Sequence, residues 1–166
     1  MIATDKEERH VLTMLVDNVP GVTARVVGLF AGRGYNIETI CGAPTHDPKV
    51  SRITISTWAN ADQLEMIMKQ LRRLINVIKL AHMTGQIAVR REVVLLFVKA
   101  TPQNRTEISR AVESFRGKIV DYGRSHFIVE ATGSEEKINA LIRVLKPFGI
   151  KKTARSGELA LFRDID

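Results

Sequence analysis

Reactive and ligand-binding side chains are scarce in this sequence of 166 residues, which has one cysteine, four histidines and 5% aromatic residues. A single cysteine excludes an internal disulfide and is typical of a reducing compartment. No apolar run approaches the roughly 20 residues of a membrane-spanning helix. The first ten residues are charged and lack the apolar centre of a signal peptide. We therefore predict a cytoplasmic protein that does not enter a membrane.

Motifs for catalysis and metal binding are also missing. The histidines, His10, His46, His82 and His126, never lie three or four residues apart, so the sequence predicts isolated histidines and no metal site. Cys41 lies in a predicted strand, without a histidine placed to activate it. The nucleophile elbow, the phosphate loop and the dinucleotide fingerprint are absent from the sequence. We therefore predict a chain that catalyses no reaction of its own.

The positive charge, a net +7 at neutral pH, is spread along the chain. Lysine and arginine occur in pairs, at residues 72–73, 90–91 and 151–152, and such dispersion is weak support for a nucleic-acid site. A basic surface equally suits an acidic protein partner. RNA-recognition modules of similar topology stack bases on aromatic residues of their middle strands, and the strands predicted at residues 11–16 and 53–57 have none. We predict no nucleic-acid ligand.

The succession of apolar patterns predicts an α+β protein with two ferredoxin-like βαββαβ domains. Residues 11–16 are an almost unbroken apolar run typical of a central strand, and residues 22–33 carry the apolar stripe of a helix. The order strand–helix–strand–strand–helix–strand spans residues 10–82 and recurs over residues 91–163. We therefore predict one domain at residues 1–83 and a second at residues 84–166.

The remaining elements follow from the same periodicities. In the first domain, strands are predicted at residues 35–45, 51–58 and 77–81, with a second helix capped by Asn60 or Asp62. Charged residues 90–92 are predicted to belong to a linker that begins at residue 84. In the second domain, strands are predicted at residues 93–98, 118–122 and 126–132, and the chain from Ile150 onward supplies the last extended segment, at residues 159–162. One helix is predicted to end at Gly117 and another to be capped by Ser134.

The predicted second strand has a further consequence, because in a ferredoxin-like sheet it lies at an edge. Residues 36–43 are uncharged except for Glu38, so this edge is open to pairing with a copy of itself. We therefore expect a homodimer in which Asn36 of one chain approaches Asn18 and Gly21 of the other.

The connection between the first strand and the first helix is the candidate ligand site. Gly21 lies at the start of the helix, where backbone N–H groups have no partner within the helix and a bare backbone lets an anion approach. Asn18 adds an amide with donors and an acceptor. This set suits the carboxylate and ammonium of a free amino acid. A tight turn with an asparagine helix cap explains the same residues equally well.

Eight short segments share a more specific pattern over nearly the whole chain. They are LVDNVPGV (15–22), VGLF (27–30), RGYNIE (33–38), APT (43–45), SRITI (51–55), KQL (69–71), FRGKIVD (115–121) and ARSG (154–157). Together they resemble the small, regulatory subunit of acetolactate synthase (acetohydroxyacid synthase), whose N-terminal part is an ACT domain.

The resemblance implies a non-catalytic subunit in valine, leucine and isoleucine biosynthesis that binds and activates a catalytic large subunit. Thiamine diphosphate, magnesium and FAD would belong to the large subunit, and this chain would hold no cofactor. Valine would bind at the ACT dimer interface and inhibit. Carried over by position, the effector contacts would be Asn18 and Gly21 of one chain, with Asn36 and Ile37 from across the interface.

We further expect Val19, Val22 and Ile37 to form apolar walls for a branched side chain. The family more often has a bulkier apolar residue where this chain has Gly42, which implies a roomier pocket. An alternative function is a stand-alone amino-acid-sensing ACT protein that regulates gene expression through contacts of its basic second domain with nucleic acid.

Overall fold

The structure, a computed structural model, describes residues 6–85 and 87–163, which form two compact units. Unit 1 contains the described residues up to Val89 and those from Gly157 onward, and unit 2 is Arg90–Ser156. No described helix is long and apolar enough to cross a membrane. The elements are β1 (Glu8–Asp17), α1 (Val22–Ala31), β2 (Thr39–Pro44), β3 (Val50–Ala59), α2 (Ala61–Leu71), β4 (Val77–His82), β5 (Ala88–Lys99), α3 (Arg105–Ser114), β6 (Lys118–Tyr122), β7 (His126–Gly133), α4 (Glu135–Leu145), a 3-10 helix (Lys146–Phe148), β8 (Ile150–Arg155) and β9 (Leu159–Phe162).

Unit 1 contains an antiparallel sheet in the order β2-β3-β1-β4, with α1 and α2 packed on one face. Helix α1 forms because Val22, Val26 and Phe30 recur at four-residue spacing and are all buried. Asn60 caps α2 in a capping box with Gln63. The predicted ferredoxin-like fold is confirmed, and β2 lies at the edge of the sheet as expected.

Unit 2 repeats this arrangement with a sheet in the order β6-β7-β5-β8. Its core contains Leu96 and Val98 of β5 and the buried stripe of α4, which includes Ile138 and Leu141. Ser134 caps α4 as predicted, accepting a hydrogen bond from the backbone N–H of Lys137. The predicted second ferredoxin-like fold is confirmed.

The charged residues 90–92, predicted as linker, belong to β5 instead. Glu92 is only 2% exposed. It is held by Arg155 of β8, whose Nε donates to Glu92 Oε2 at 3.2 Å and whose Nη2 donates to Oε1. A two-pronged contact from arginine satisfies the carboxylate inside the sheet, and the strand therefore continues through a charge that suggested a loop.

The C-terminal end of the chain also differs from the prediction. The fourth strand of unit 2 is β8, whereas β9, predicted as that strand, pairs with β5 and groups with unit 1. Gly157, with φ of +79°, separates the two strands, and Ala160 of β9 is buried against Val11 and Met83. The described residues after Ser156 therefore group with unit 1, although the predicted boundary at residue 84 assigned them to the second domain.

Candidate functional site

The turn between β1 and α1 places Gly21 at the N-terminus of α1. Gly21 has φ of +85° and ψ of −7°, a left-handed conformation that a side chain makes costly. No side chain caps this helix. The first N–H groups of α1 therefore point from an uncapped helix end, which favours a negatively charged group nearby.

Asn18 supports the turn from outside the helix. Its backbone N–H donates to the Lys49 carbonyl oxygen at 2.7 Å, and its Nδ2 donates to the Pro48 carbonyl oxygen at 2.8 Å. These bonds fasten the β1–α1 connection to the β2–β3 turn. The asparagine cap considered from the sequence is wrong, because the cap position is Gly21 and the Asn18 amide binds a different loop.

A second set of hydrogen bonds holds the same connection on its other side. The Asp17 backbone N–H donates to the Asn76 carbonyl oxygen at 3.0 Å, and Asn76 Nδ2 donates to Asp17 Oδ2 at 2.9 Å. Arg25 Nη1 of α1 donates to Asn76 Oδ1. The turn is thus held from two sides, an arrangement that fixes its geometry before any ligand arrives.

A cavity of about 380 Å³ lies beside this turn, and we call it the helix-mouth pocket. Its volume suits a small metabolite. Of the predicted site residues, Asn18, Val19 and Val22 line the pocket, and Gly21 lies in the turn between the two valines. The pocket is lined by Val16, Asp17, Asn18, Val19, Val22, Thr23, Ile40, Gly42, Ala43, Pro44, Ser51 and Ile53.

Asn36 and Ile37, the predicted contacts from across a dimer interface, do not line the pocket of their own chain. They lie in the loop before β2, because the strand predicted from residue 35 begins only at Thr39. The Asn36 carbonyl oxygen accepts from Thr57 Oγ1 at 2.6 Å, and Ile37 packs against the core of its own unit. Their part in a ligand site stays a prediction that requires a second copy of the chain.

The β2 wall of the pocket was largely missed from the sequence. Ile40, Gly42 and Pro44 alternate along this edge strand, so they share the face that carries Ile53 of β3. The two-residue periodicity of a strand, counted from Ile40, is the sequence signal that predicts these residues on one face. A Cβ at Gly42 would lie 3.6 Å from Ile53 Cγ1, an ordinary contact, so the site has room for a side chain that this protein lacks.

Glu38, two residues after Asn36, joins the loop to the sheet through several hydrogen bonds. Its carboxylate accepts from Arg9 Nε, from Ser56 Oγ at 3.1 Å and from Trp58 Nε1 at 3.2 Å. Burial raises the pKa of Glu38, but the hydrogen bonds from Arg9 and Trp58, the Arg9 charge and the Ser56 hydroxyl together lower it below its ordinary value. The loop is therefore anchored by an ionised carboxylate.

Two of the four histidines are not isolated, contrary to the sequence prediction. His10 of β1 and His82 of β4 approach with Nδ1 and Nε2 3.2 Å apart, and His10 Nε2 lies 3.1 Å from the Ala59 carbonyl oxygen. Burial and the neighbouring His10 lower the pKa of His82. Among the residues that the structure describes, no group of three or more histidine, cysteine or acidic side chains could hold a metal ion.

Two protein families match the chain, the first within unit 1 and the second over unit 2 and on into the residues after Ser156. Residues 12–79 match the family described as "AHAS small subunit-like ACT domain", and residues 91–164 match the family described as "small subunit of acetolactate synthase". The first match contains the helix-mouth pocket, and the second begins within β5.

Individual relatives match over both units. The acetolactate synthase small subunit of Aquifex aeolicus is 44% identical over 159 residues, covering 95% of this chain and 82% of that protein. The probable acetolactate synthase small subunit of Archaeoglobus fulgidus is 42% identical over 155 residues, covering 93% and 97%. The crystal structure of the small subunit from Thermotoga maritima superposes with a TM-score of 0.85 at 35% identity, covering 96% of this chain and 99% of that one.

Proposed function

The chain belongs to the family of acetolactate synthase small subunits, and we propose that it activates the catalytic large subunit and mediates feedback inhibition by valine in branched-chain amino acid biosynthesis. It catalyses no step itself. Thiamine diphosphate, magnesium and FAD are expected on the large subunit, where acetolactate forms. Family membership favours this function over the stand-alone gene regulator considered from the sequence, and the predicted cytoplasmic location is in keeping with it.

The observation that carries the proposal is the helix-mouth pocket beside the uncapped N-terminus of α1. The amino-acid carboxylate binds near the first N–H groups of α1, where the helix dipole favours negative charge. The branched side chain contacts Val19 and Val22 on one wall and Ile40 on the other. Nothing in this arrangement supplies a nucleophile with a neighbouring base, so the pocket binds without reacting.

A homodimer completes the site in this proposal. The β2 edge carries no charged residue and Ile40 is 39% exposed, features that favour pairing with a second copy of the strand. Pairing of two β2 strands would bring Asn36 and Ile37 of the partner beside the helix-mouth pocket. Their polar and apolar groups would then close the valine site.

Arg9 offers a route by which the bound effector influences the rest of the chain. It donates through Nε to Glu38 and through Nη1 to Glu158 at 2.9 Å. Glu158 follows closely on Ser156, the last residue of unit 2. A ligand that shifts the Asn36–Glu38 loop therefore acts beside one of the two chain connections between the units, and a coupling of about 1–3 kcal/mol would be typical.

Acetolactate formation by a matched large subunit, measured with and without this chain across a valine titration, tests the proposal. We expect the chain to raise turnover and valine to reverse that rise. Valine binding can be followed in parallel by the fluorescence of Trp58, the single tryptophan, which donates to Glu38. An unchanged turnover in the presence of the chain would contradict the assignment.

The position of the valine site is tested by Gly21→Asp, whose carboxylate would occupy the anion position. We expect this variant to lose valine binding in calorimetry while still activating the large subunit. Gly85→Asp is the matched control, because Gly85 also has a positive φ, of +74°, with open space around it. If Gly21→Asp binds valine as tightly as the control does, valine binds elsewhere.

A further inference from the structure

The face of the unit 1 sheet that lies opposite its two helices is only partly covered. Leu12 and Met14 of β1 pack toward α1 and α2, so Thr13 and Leu15 point to the other face. Strand β9 covers one part of that face through the buried Ala160. The remaining part is a concave surface between β9 and the β2–β3 turn.

This surface contains a cavity of about 550 Å³, which is larger than the helix-mouth pocket. We call it the open-face cavity. Its walls are mostly apolar, with Leu15 on the sheet and Leu159 and Leu161 on β9. The two leucines of β9 are 50% and 56% exposed. A cavity of this volume, in which apolar walls are combined with polar side chains, is typical of small-molecule sites.

Arg52 supplies the charge in the cavity. It is half-buried near the start of β3, and its Nη1 donates to Thr13 Oγ1 at 3.3 Å. Among the described residues, no acidic side chain forms an ion pair with it. Asp47, at the rim, already accepts the Lys49 backbone N–H through Oδ1 at 2.9 Å. A guanidinium can bind a carboxylate through two parallel hydrogen bonds, and apolar walls beside it can contact an apolar tail.

We propose that the open-face cavity binds a small monocarboxylate with a branched apolar tail, its carboxylate on Arg52 and its tail between Leu15, Leu159 and Leu161. An amino acid is a poorer ligand, because its ammonium would have to leave water for apolar walls. The site lies on the opposite face of the sheet from the helix-mouth pocket, so it does not depend on the valine proposal. Ala43 and Pro44 of β2 line both cavities.

Calorimetry with isocaproate, a six-carbon branched carboxylate, tests the site on the full chain. We expect saturable binding that is at least tenfold weaker for the neutral isocaproamide and at least tenfold weaker in Arg52→Met, which keeps the apolar stem without the charge. Arg73→Met removes the same charge from an exposed position after α2 and should bind as the unchanged protein does. Arg52→Lys should retain part of the affinity, which separates loss of charge from loss of fold.

Cys41 provides an independent readout, because this single cysteine lines the cavity. Isocaproate should slow its reaction with a thiol reagent, and acetate, which has no tail, should not. Gly21→Asp should leave isocaproate binding unchanged, which separates this site from the valine site. The proposal is overturned if isocaproate shows no saturable binding, if isocaproamide binds equally well, or if Arg52→Met binds like Arg73→Met.

Discussion

Units 1 and 2 have the same strand order but differ at the start of their first helix. In unit 1 the helix begins after Gly21, without a side-chain cap, beside a cavity. In unit 2, Asn104 Oδ1 accepts from the Thr101 backbone N–H at 2.7 Å, and Arg105 Nη2 donates to the carbonyl oxygens of Gly123 and Arg124, each at 2.6 Å. Neither helix has a side-chain cap, but in unit 2 the Asn104 and Arg105 side chains at the start of α3 hydrogen-bond to the backbone of their own unit. The repeated topology therefore does not repeat the local structure of the candidate site.

The edge strands differ in a related way. Strand β2 is uncharged, whereas β6 contains Lys118 and Asp121 and has an irregular register against β7 between Ile119 and Asp121. Charged residues and bulges discourage an edge strand from pairing with another chain. The contrast favours self-association through unit 1 and leaves β6 as an edge exposed to solvent.

A third difference lies inside the two sheets, at corresponding positions. Leu12 of β1 pairs with His82, and Val94 of β5 pairs with Arg155, so the His10–His82 pair of unit 1 corresponds to the Glu92–Arg155 pair of unit 2. One position thus holds two imidazoles and the other holds an ion pair. The stabilities of the two units should therefore respond differently to the loss of a charged side chain and to a change of pH.

Breaking the ion pair should have the largest effect. Arg155→Met leaves the buried Glu92 without its guanidinium and should lower the free energy of unfolding by about 2–3 kcal/mol, less than for a fully buried pair because the Arg155 side chain is 33% exposed. Urea unfolding monitored by circular dichroism measures the loss. The double variant Glu92→Gln, Arg155→Met should recover part of it, and a loss below about 0.5 kcal/mol would contradict the role of the pair.

Filling the ligand pocket should have the next largest effect, and only in unit 1. Gly42→Leu should weaken valine binding about tenfold, because the side chain would project into the helix-mouth pocket, and tenfold corresponds to about 1.4 kcal/mol. Alanine, measured in the same calorimeter, should lose less affinity than valine because it needs less space. Equal losses for both amino acids would indicate a general disturbance of the fold.

Lowering the pH should destabilise unit 1 before unit 2. The pKa of His82 is lowered in the folded protein, so the unfolded chain binds the proton first and stability falls as the pH drops below about 6.5. Unfolding by urea at about pH 7.5 and 5.5, followed by Trp58 fluorescence, should show a smaller difference for His82→Asn than for the unchanged chain. His46→Asn, an exposed position, is the control and should keep the full difference.

Exchanging the residues that follow the first helices should have the smallest effect. Gly34 in unit 1 has φ of +71°, and Arg116 in unit 2 has φ of +53° although it carries a side chain. Arg116→Gly should therefore stabilise the protein by up to about 1 kcal/mol, and Gly34→Arg should destabilise it by a similar amount. Thermal unfolding measures both changes, and a destabilising Arg116→Gly would mean that the arginine side chain contributes contacts that outweigh its backbone strain.

Much of the fold could be predicted because the signals are local. The stripe Val22, Val26 and Phe30 and the capping residues Asn60 and Ser134 act within one or two turns of chain, and each element appears where the pattern predicts it. The prediction of a linker at residues 90–92 failed for the opposite reason. Glu92 is buried only because Arg155, 63 positions later, pairs with it.

The candidate site was predictable in part for the same reason. Asn18, Val19, Gly21 and Val22 are neighbours in the chain, so their sequence already indicated a helix start with a bare backbone. The facing wall of Ile40 and Gly42 belongs to a separate strand. The pairing of β2 with β3 brings that wall to the turn, and no local pattern specifies the distance.

The sequence by itself determined the two βαββαβ halves, the glycine at the start of the first helix and the family, because periodicity, turn residues and motif are carried by residues close together in the chain. Only the tertiary structure decided that Asn18 binds the Pro48 loop, that His10 meets His82, and that β9 returns to unit 1 to bound the Arg52 cavity. These contacts join segments that are distant in the sequence. They form only when the whole unit folds and its core is buried.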